Sequence, residues 1–174
     1  YESHCQGTRR AVEAGWSVLV AGGSALDAVE AAIVVMEDDE TFDAGRGSFL
    51  NAEGQVELDA GFMCGTDLRV GAVAGVQFIQ NPIRLARAVM DHSDHVLLVC
   101  QGAQRFAHRM GFPFCELTDL AVPREFERWQ KLLRDRTYSG RQAFVRPADT
   151  VGCVALDQQG HMAAGTSTGG TPNK

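Results

Sequence analysis

The chain has 174 residues, of which 45% are hydrophobic and 22% charged, and its formal net charge is −6 at pH 7. This length and composition predict one folded globular unit and exclude a disordered or collagen-like chain. The acidic balance argues against a nucleic-acid partner. The longest apolar run, Ala31–Met36, is far shorter than the ~20 residues that cross a bilayer, so no membrane partner is expected either.

Two helices are predicted in the first forty residues. Gln6–Leu19 carries apolar residues on one face, and Gly22-Gly23 follows as a helix stop. Ser24 is a favourable N-cap for a second helix, Ala25–Met36, which is apolar on nearly all sides. Such a pattern is typical of a helix that packs on two sides.

The sequence then changes to short strands. Ser48–Leu50 and Gln55–Asp59 are predicted to form a hairpin, because Gly54 in the intervening turn can adopt a positive φ. Val70–Val76 is a further predicted strand.

A third helix is predicted from Asn81-Pro82, with Asn81 as the cap and Pro82 at the first helical position. It reaches about His92. The remaining predicted elements of this region are a short buried strand at His95–Cys100, a helix at Gly102–Met110 and an exposed helix at Arg124–Leu133.

The last part of the chain begins with a predicted linker at about 134–149, which has no periodicity. Thr150–Asp157 and His161–Thr168 then read as a β-hairpin. Short strands grouped between helices favour an α+β or layered α/β fold over a doubly wound sheet.

Thr150 is the first candidate for chemistry, because it starts a strand directly after an accessible linker. A threonine hydroxyl is a weak nucleophile and needs an adjacent base. If the Asp149–Thr150 bond is cut, the α-amine of Thr150 supplies that base, with a reference pKa of about 7.7–8.0. The alternative is an ordinary β-branched residue at a strand start, and the local pattern alone favours it.

A second candidate is the run of three hydroxyls at Thr166–Thr168, followed by Gly169 and Gly170. Hydroxyls and glycine N–H groups can hold a carboxylate, an oxyanion or a phosphate. The alternative is a polar turn that leaves a strand. The predicted hairpin places Thr150 and Thr168 opposite each other.

Two further patterns concern metals. The acidic segment Met36–Arg46 offers oxygen ligands for a hard cation but lacks the EF-hand spacing, and a solvated loop is the ordinary interpretation. The five cysteines are odd in number and contain no Cys-x-x-Cys pair, which argues against a structural zinc site. They indicate a reducing compartment, and a cytoplasmic location is expected.

Taken together and in this order, several segments resemble the plant-type L-asparaginase / isoaspartyl aminopeptidase family of N-terminal nucleophile hydrolases. They are Gly22–Glu30, Phe42–Ser48, Glu57–Ala60, Gly71–Val76, Asn81-Pro82, Thr150–Asp157 and Thr166–Gly170. The pair Thr-Val-Gly and Thr-Ser-Thr-Gly-Gly at this spacing is specific, and it favours the nucleophile interpretation of Thr150.

The resemblance implies a four-layer αββα sandwich that is incomplete at both ends of this chain. Residues 1–149 would be part of an α-subunit whose first strand is missing, and 150–174 would open a β-subunit. The family's His-Gly-Gly-Ala-Gly strand end would precede Tyr1. Its Gly-Arg-Val-Gly-Asp-Ser-Pro segment, which binds the substrate's carboxylate and amine, and its oxyanion-forming Thr-Gly pair would follow Lys174.

The resemblance also implies self-cleavage between Asp149 and Thr150. The freed Thr150 would attack the side-chain amide of asparagine or the β-linked bond of an isoaspartyl dipeptide. Thr168 would position the nucleophile, and Gly169 and Gly170 would contact the substrate. No cofactor is implied for catalysis.

A structural sodium ion and two protein partners are implied as well. The partners are the chain's own C-terminal β-subunit segment and a second αβ unit in a homodimer. The sodium would be held mainly by backbone carbonyls, at Met36, Glu37, Asp39, Phe42, Ala44 and Arg46.

Two departures from the family pattern leave alternatives open. Asp43 stands where the family usually has Asn, and it is expected to slow cleavage. The junction is Asp149-Thr150 where Gly-Thr is common, and Asp-Thr is what glycosylasparaginases and the threonine aspartase use. A hydrolase of either kind, or an unprocessed inactive homologue, is therefore the alternative.

Overall fold

The computed structural model describes residues 2–135, 137 and 150–174. The predicted linker at 134–149 therefore lies almost entirely outside the described residues, as does Asp149. The described residues form six helices and five strands: α1 Glu2–Val20, α2 Ala25–Glu37, β1 Leu58–Cys64, β2 Val70–Val76, α3 Pro82–His92, β3 Leu97–Val99, α4 Cys100–Arg109, α5 Leu117–Leu120, α6 Pro123–Arg134, β4 Val151–Leu156 and β5 Met162–Thr168.

The strands of the described residues form one sheet in the order β3-β2-β1-β5-β4. The pairs β1–β2, β1–β5 and β4–β5 are antiparallel, and β2–β3 is parallel. The C-terminal hairpin β4–β5 therefore continues the sheet begun by β1 and β2. This pairing brings the last strand of the chain beside the first one.

One face of the sheet packs on helices. Helix α2 lies over β4 and β5, α3 lies over β1 and β2, and α1 packs on α2. Two glycines allow this close packing. A Cβ at Gly165 would come within 2.8 Å of Ile33 and 2.9 Å of Val29 in α2, and a Cβ at Gly71 would collide with the α3 backbone at Ala86 and Met90.

The opposite face of β1, β4 and β5 is open in the described part of the chain. Its apolar side chains are consequently exposed, by 40% at Met63, 81% at Val154, 59% at Leu156 and 61% at Met162. The α+β prediction is thus confirmed as a mixed fold with one sheet and helices. The second sheet of the four-layer sandwich stays a prediction.

Several local predictions are confirmed. The Ser24 hydroxyl accepts the N–H of Asp27 at 3.1 Å and caps α2. Strand β2 has the predicted bounds, and Gly54 has a φ of +76°. In the described ranges, no helix combines the length and the hydropathy that crossing a bilayer requires.

The predicted hairpin at residues 48–59 is confirmed at its turn, where the Asn51 N–H donates to the Gln55 carbonyl at 2.8 Å, but its two strands do not extend as predicted. Only an isolated bridge joins Leu50 to Val56, and the strand that follows runs from Leu58 to Cys64. The cause is Asn51, whose side-chain oxygen accepts the N–H groups of Glu53 and Gln55 at 3.0 and 2.9 Å. A side chain that captures local backbone donors competes with a strand ladder.

Asn81 and Pro82 occupy the predicted N-cap and first helical positions of α3. The Asn81 side chain makes no cap hydrogen bond and donates instead to Asp38, at 3.0 Å. The carboxylate of Glu37, at the end of α2, accepts the N–H of Ile83 in the first turn of α3 at 3.0 Å. Glu37 therefore satisfies a helix-start donor from a distant part of the chain.

Glu37 is fully buried, and burial raises the pKa of its carboxyl to about 8. The Ser167 hydroxyl, the Ile83 N–H and the Asn81 amide act in the opposite direction and lower it.

The strand predicted at His95–Cys100 is shorter and less buried than expected. It contains only Leu97–Val99 and lies at the sheet edge, where Leu97 and Val99 are about half exposed.

Asp157 joins the β4–β5 turn to helix α2. Its Oδ1 accepts the N–H groups of Gln159 and His161 at 3.0 and 2.9 Å, and its Oδ2 accepts that of Ala25 at 3.2 Å. Burial acts to raise the pKa of Asp157, but the three backbone donors outweigh it and the pKa is lowered. The hairpin is thereby attached to the first residue of α2.

Replacing Gly71 by Ala is expected to lower the free energy of unfolding by about 1–3 kcal/mol, because the added Cβ must displace the backbone of α3. Gly102→Ala is the matched control. It lies in α4 with open space around the new Cβ, and it should stabilise the protein by about 0.5–1 kcal/mol. Urea unfolding of the two variants measures the difference, and equal stabilities would contradict the packing account.

Asp157→Ala is expected to lower the melting temperature at pH 7. The pKa of Asp157 is lower in the folded than in the unfolded protein. Its contribution to the free energy of unfolding is therefore complete above the unfolded pKa, near 3.8, and is lost as the pH falls through the folded pKa. The difference in melting temperature between wild type and variant should therefore shrink below about pH 4. Circular dichroism melts from pH 2 to 7 test this, and a difference that stays constant over that range would be incompatible with it.

Candidate active site

The structure brings Thr150 and Thr168 together. The Thr150 hydroxyl donates to Oγ1 of Thr168 at 3.2 Å. Thr150 directly precedes β4 and Thr168 ends β5, and the pairing of Val151 with Ser167 sets the register that places them opposite each other. Thr150 is exposed, so its hydroxyl is accessible to a reactant.

The segment after Thr168 is held by its own hydrogen bonds. The Gly170 N–H donates to Oγ1 of Thr168 at 3.0 Å, and the Gly169 N–H donates to the carbonyl of Asp43 at 2.8 Å. The Lys174 ammonium donates to the carbonyls of Gly169 and Glu57, both at 2.8 Å. Both glycine N–H groups are therefore engaged within the protein, and the substrate contact of Gly169 and Gly170 stays a prediction.

Asp43 lies against this same segment. It is 3% exposed, and its Oδ1 accepts the N–H of Phe49 at 2.9 Å. A Cβ at Gly169 would collide with Oδ1 of Asp43 and with Ser48. Asp43, one of the two departures from the pattern that the resemblance implies, is thus in direct contact with the residue that follows Thr168.

Backbone hydrogen bonds use three of the carbonyls predicted to hold sodium. The carbonyl of Met36 accepts from Asp39 at 3.3 Å, that of Glu37 from Arg46 at 2.8 Å, and that of Asp39 from Phe42 at 3.1 Å. Each carbonyl oxygen has a second lone pair that can still bind a cation.

The remaining predicted ligands lie in the same closed loop. Phe42 and Ala44 are buried, and the guanidinium of Arg46 donates to the carbonyl of Asp119 at 2.8 Å. Among the described residues, no group of three or more His, Cys, Asp or Glu side chains could hold a metal. Sodium held by backbone carbonyls of this loop stays a prediction.

A depression of about 480 Å³ lies on the uncovered sheet face, one row of residues from the hydroxyl pair. Gly152 and Gly61 flank Thr166 in that row and contribute no side chain. The Thr166 hydroxyl is occupied by the carbonyl of Val151, at 3.0 Å. The depression is mainly apolar, and its lining is Gly61, Phe62, Met63, Val70, Gly152, Cys153, Val154, Ala164, Gly165 and Thr166.

Sequence reasoning missed Asp59 and Lys174 at this site. Asp59 lies directly opposite Thr168 in the β1–β5 pairing, and Lys174 holds the segment behind it. Asp59 lies in the Glu57–Ala60 segment that carries the family resemblance, but neither residue has a local signal for a place at this site, since both depend on contacts between segments far apart in the chain.

All 174 residues match the protein family described as "Asparaginase". The chain is 47% identical over 168 residues to "Isoaspartyl peptidase/L-asparaginase" of Xenopus laevis, covering 97% of this chain and 54% of that protein. It is 47% identical over 169 residues to the Homo sapiens protein of the same name, with the same coverage. It is 46% identical over 177 residues to "Plant-type L-asparaginase" of Pyrococcus abyssi, covering 95% of this chain and 56% of that protein.

The chain thus spans about half the length of these curated relatives. The match nevertheless covers every residue of the chain, including both threonines and the segment that contains Asp43. The family indicated by the sequence motifs is confirmed, and the chain belongs to the asparaginase family.

Proposed function

We propose that this chain is part of a threonine amidohydrolase that hydrolyses L-asparagine and β-aspartyl dipeptides. The observation that carries the proposal is the 3.2 Å contact between the hydroxyls of Thr150 and Thr168, at the start of an exposed edge strand. The names of the relatives, isoaspartyl peptidase/L-asparaginase and plant-type L-asparaginase, support the substrate class.

The first step would be self-cleavage of the Asp149–Thr150 bond. The Thr150 oxygen attacks the carbonyl carbon of Asp149, the peptide nitrogen is protonated and leaves as the α-amine of Thr150, and an ester remains. Water then hydrolyses the ester. This step is required because the peptide nitrogen of Thr150 has no basic lone pair before cleavage, whereas an α-amine titrates near neutral pH.

The second reaction would be acyl transfer from the substrate. The α-amine accepts the hydroxyl proton of Thr150 while Oγ1 attacks the side-chain amide carbonyl. Ammonia or an amino acid leaves, and water hydrolyses the β-aspartyl ester. Thr168 orients the nucleophile through the contact described above. By the family resemblance, the groups that stabilise the oxyanion follow Lys174.

The uncovered sheet face supports the rest of the proposed architecture. Apolar side chains this exposed on one sheet face indicate that another part of the protein covers them. The chain spans about half the length of its relatives. We propose that the remainder of the β-subunit forms the second sheet of a four-layer sandwich on this face. A homodimer of αβ units, a sodium ion in the acidic loop and a cytoplasmic location complete the proposal.

The Asp149-Thr150 junction favours a second candidate. Glycosylasparaginases and the threonine aspartase use the same Asp-Thr junction. An enzyme of either kind would use the same nucleophile on a different substrate. Release of aspartate from β-Asp-Leu, compared with release from glycosylated asparagine, separates the two candidates.

Thr150→Ala is expected to abolish self-cleavage of the full-length protein. Intact-mass analysis of wild type should show two fragments divided between residues 149 and 150, and the variant should stay a single chain. Loss of a nucleophile typically costs 10⁴-fold or more in rate. Thr118→Ala, at an exposed threonine of α5, is the control and should cleave like wild type. A Thr150→Ala protein that still cleaves and turns over substrate would refute the assignment.

Asp43→Asn is expected to accelerate self-cleavage by about tenfold, which corresponds to ~1.4 kcal/mol. A carboxylate in contact with Gly169 opposes the negative charge that develops at the attacked carbonyl, whereas an amide keeps the oxygen that accepts from Phe49. Asp94→Asn changes the net charge equally at an exposed position and is the control. The rate of fragment appearance is the measurement, and equal rates for both variants would contradict the electrostatic effect.

A further inference from the structure

Three adjacent strands place two hydroxyls and a carboxylate in one row. The β4–β5 register sets Thr150 opposite Thr168, and the β1–β5 register sets Thr168 opposite Asp59. Directly opposed residues of antiparallel strands have their Cβ atoms about 4.5–5.5 Å apart on the same face. Thr168 therefore stands between the candidate nucleophile and a carboxylate.

A local irregularity of the sheet holds Asp59 in this row. The pairing of β1 with β2 shifts between Leu58 and Ala60, so that β2 contains an extra residue opposite Asp59. Gly75 lies at this bulge with a φ of +61°, and its N–H donates to Oδ1 of Asp59 at 2.7 Å. Bulges often redirect groups beside active sites. Here the bulge turns a backbone donor toward a carboxylate on the face that carries both threonines.

The Thr168 hydroxyl accepts two hydrogen bonds and can still donate one. Its oxygen accepts from the Thr150 hydroxyl and from the Gly170 N–H, which uses both lone pairs. Its own hydrogen remains for donation. Within the described part of the chain, Oδ2 of Asp59 carries no hydrogen bond or ion pair, and the two side chains are not hydrogen-bonded to each other. A side-chain rotation that brings Oδ2 to the Thr168 hydroxyl would complete the row as O–H···O–H···O⁻.

We propose that Asp59 acts through Thr168 as the proton acceptor for self-cleavage. This inference rests on the proposed function and adds a residue to it. Before cleavage the chain lacks the α-amine that later acts as base, so the attack of Thr150 needs another acceptor. The proton of Thr150 moves to Thr168 while that of Thr168 moves to Asp59, and the Oγ1–carbonyl bond forms. The proton then returns along the row to the peptide nitrogen as the C–N bond breaks.

The two proposed reactions should differ in their dependence on Asp59. Self-cleavage depends on Asp59, whereas turnover by cleaved protein uses the α-amine of Thr150. Asp59 is a positioning residue in turnover, because it reaches the nucleophile only through Thr168. A merely structural Asp59 would affect both reactions alike.

The experiment uses the full-length protein that contains this chain. Asp59→Asn keeps an oxygen for the Gly75 N–H and removes the proton acceptor, and it should slow self-cleavage about 10²–10³-fold. After long incubation, the cleaved fraction of the same variant should hydrolyse β-Asp-Leu within about tenfold of wild type. Glu57→Gln removes a carboxylate two residues away, one that accepts from Gln77, and should cleave at the wild-type rate.

Asp59→Ala provides a second readout. Added formate should restore part of its cleavage rate, because truncation of the side chain leaves space for a small carboxylate beside Thr168; formate should not accelerate wild type. Asp59→Asn cleavage at the wild-type rate would overturn the inference, as would equal slowing of cleavage and turnover or the absence of formate rescue. A wild-type protein that neither cleaves nor hydrolyses would instead overturn the proposed function, and the inference with it.

Discussion

The register of β5 between its two neighbours is the constraint on which the candidate site depends. Side chains alternate between the faces of a strand, so a slip of one residue would turn Thr168 toward the helices and Ser167 toward the open face. Gly165 prevents such a slip, because only a residue without a Cβ fits beneath Val29 and Ile33 of α2. Helix packing on one face of the sheet thus determines which hydroxyls meet on the other.

The acidic segment is coupled to this strand through the backbone and through Glu37. The carbonyl of Asp43 binds the N–H of Gly169, and the buried carboxyl of Glu37 lies near Ser167 while it caps α3. Burial of a carboxyl without an ionic partner is costly, and the raised pKa of Glu37 expresses that cost. A loop that seems from its charges to be a solvated surface feature is in fact packed between α3 and the end of β5.

Local signals predicted much of the fold, and they failed where side-chain hydrogen bonds or long-range strand pairing decide the structure. The Ser24 cap, strand β2 and the β4–β5 hairpin each depend on neighbouring residues, and all three are confirmed. The Asn51 side chain takes the Gln55 N–H that a strand ladder would use, and the Asn81 side chain binds Asp38, 43 positions away, instead of the helix start. The pairing of Asp59 with Thr168 joins residues more than a hundred positions apart, which no local pattern can indicate. Thr150 itself looks like any β-branched strand start, and only the combined motifs pointed to its family.

The attachment of the hairpin turn to α2 has a mechanical consequence for the proposed cut. Cleavage before Thr150 would leave β4 as an edge strand with a free end, and free ends of edge strands fray. The opposite end of β4, however, is tethered by Asp157 to the first residue of α2. Fraying would therefore be confined to the first residues of the strand. The new terminus would be locally mobile, while the rest of β4 keeps its register. In the proposed function Thr150 serves two successive reactions, and this combination of mobility and retention would suit both.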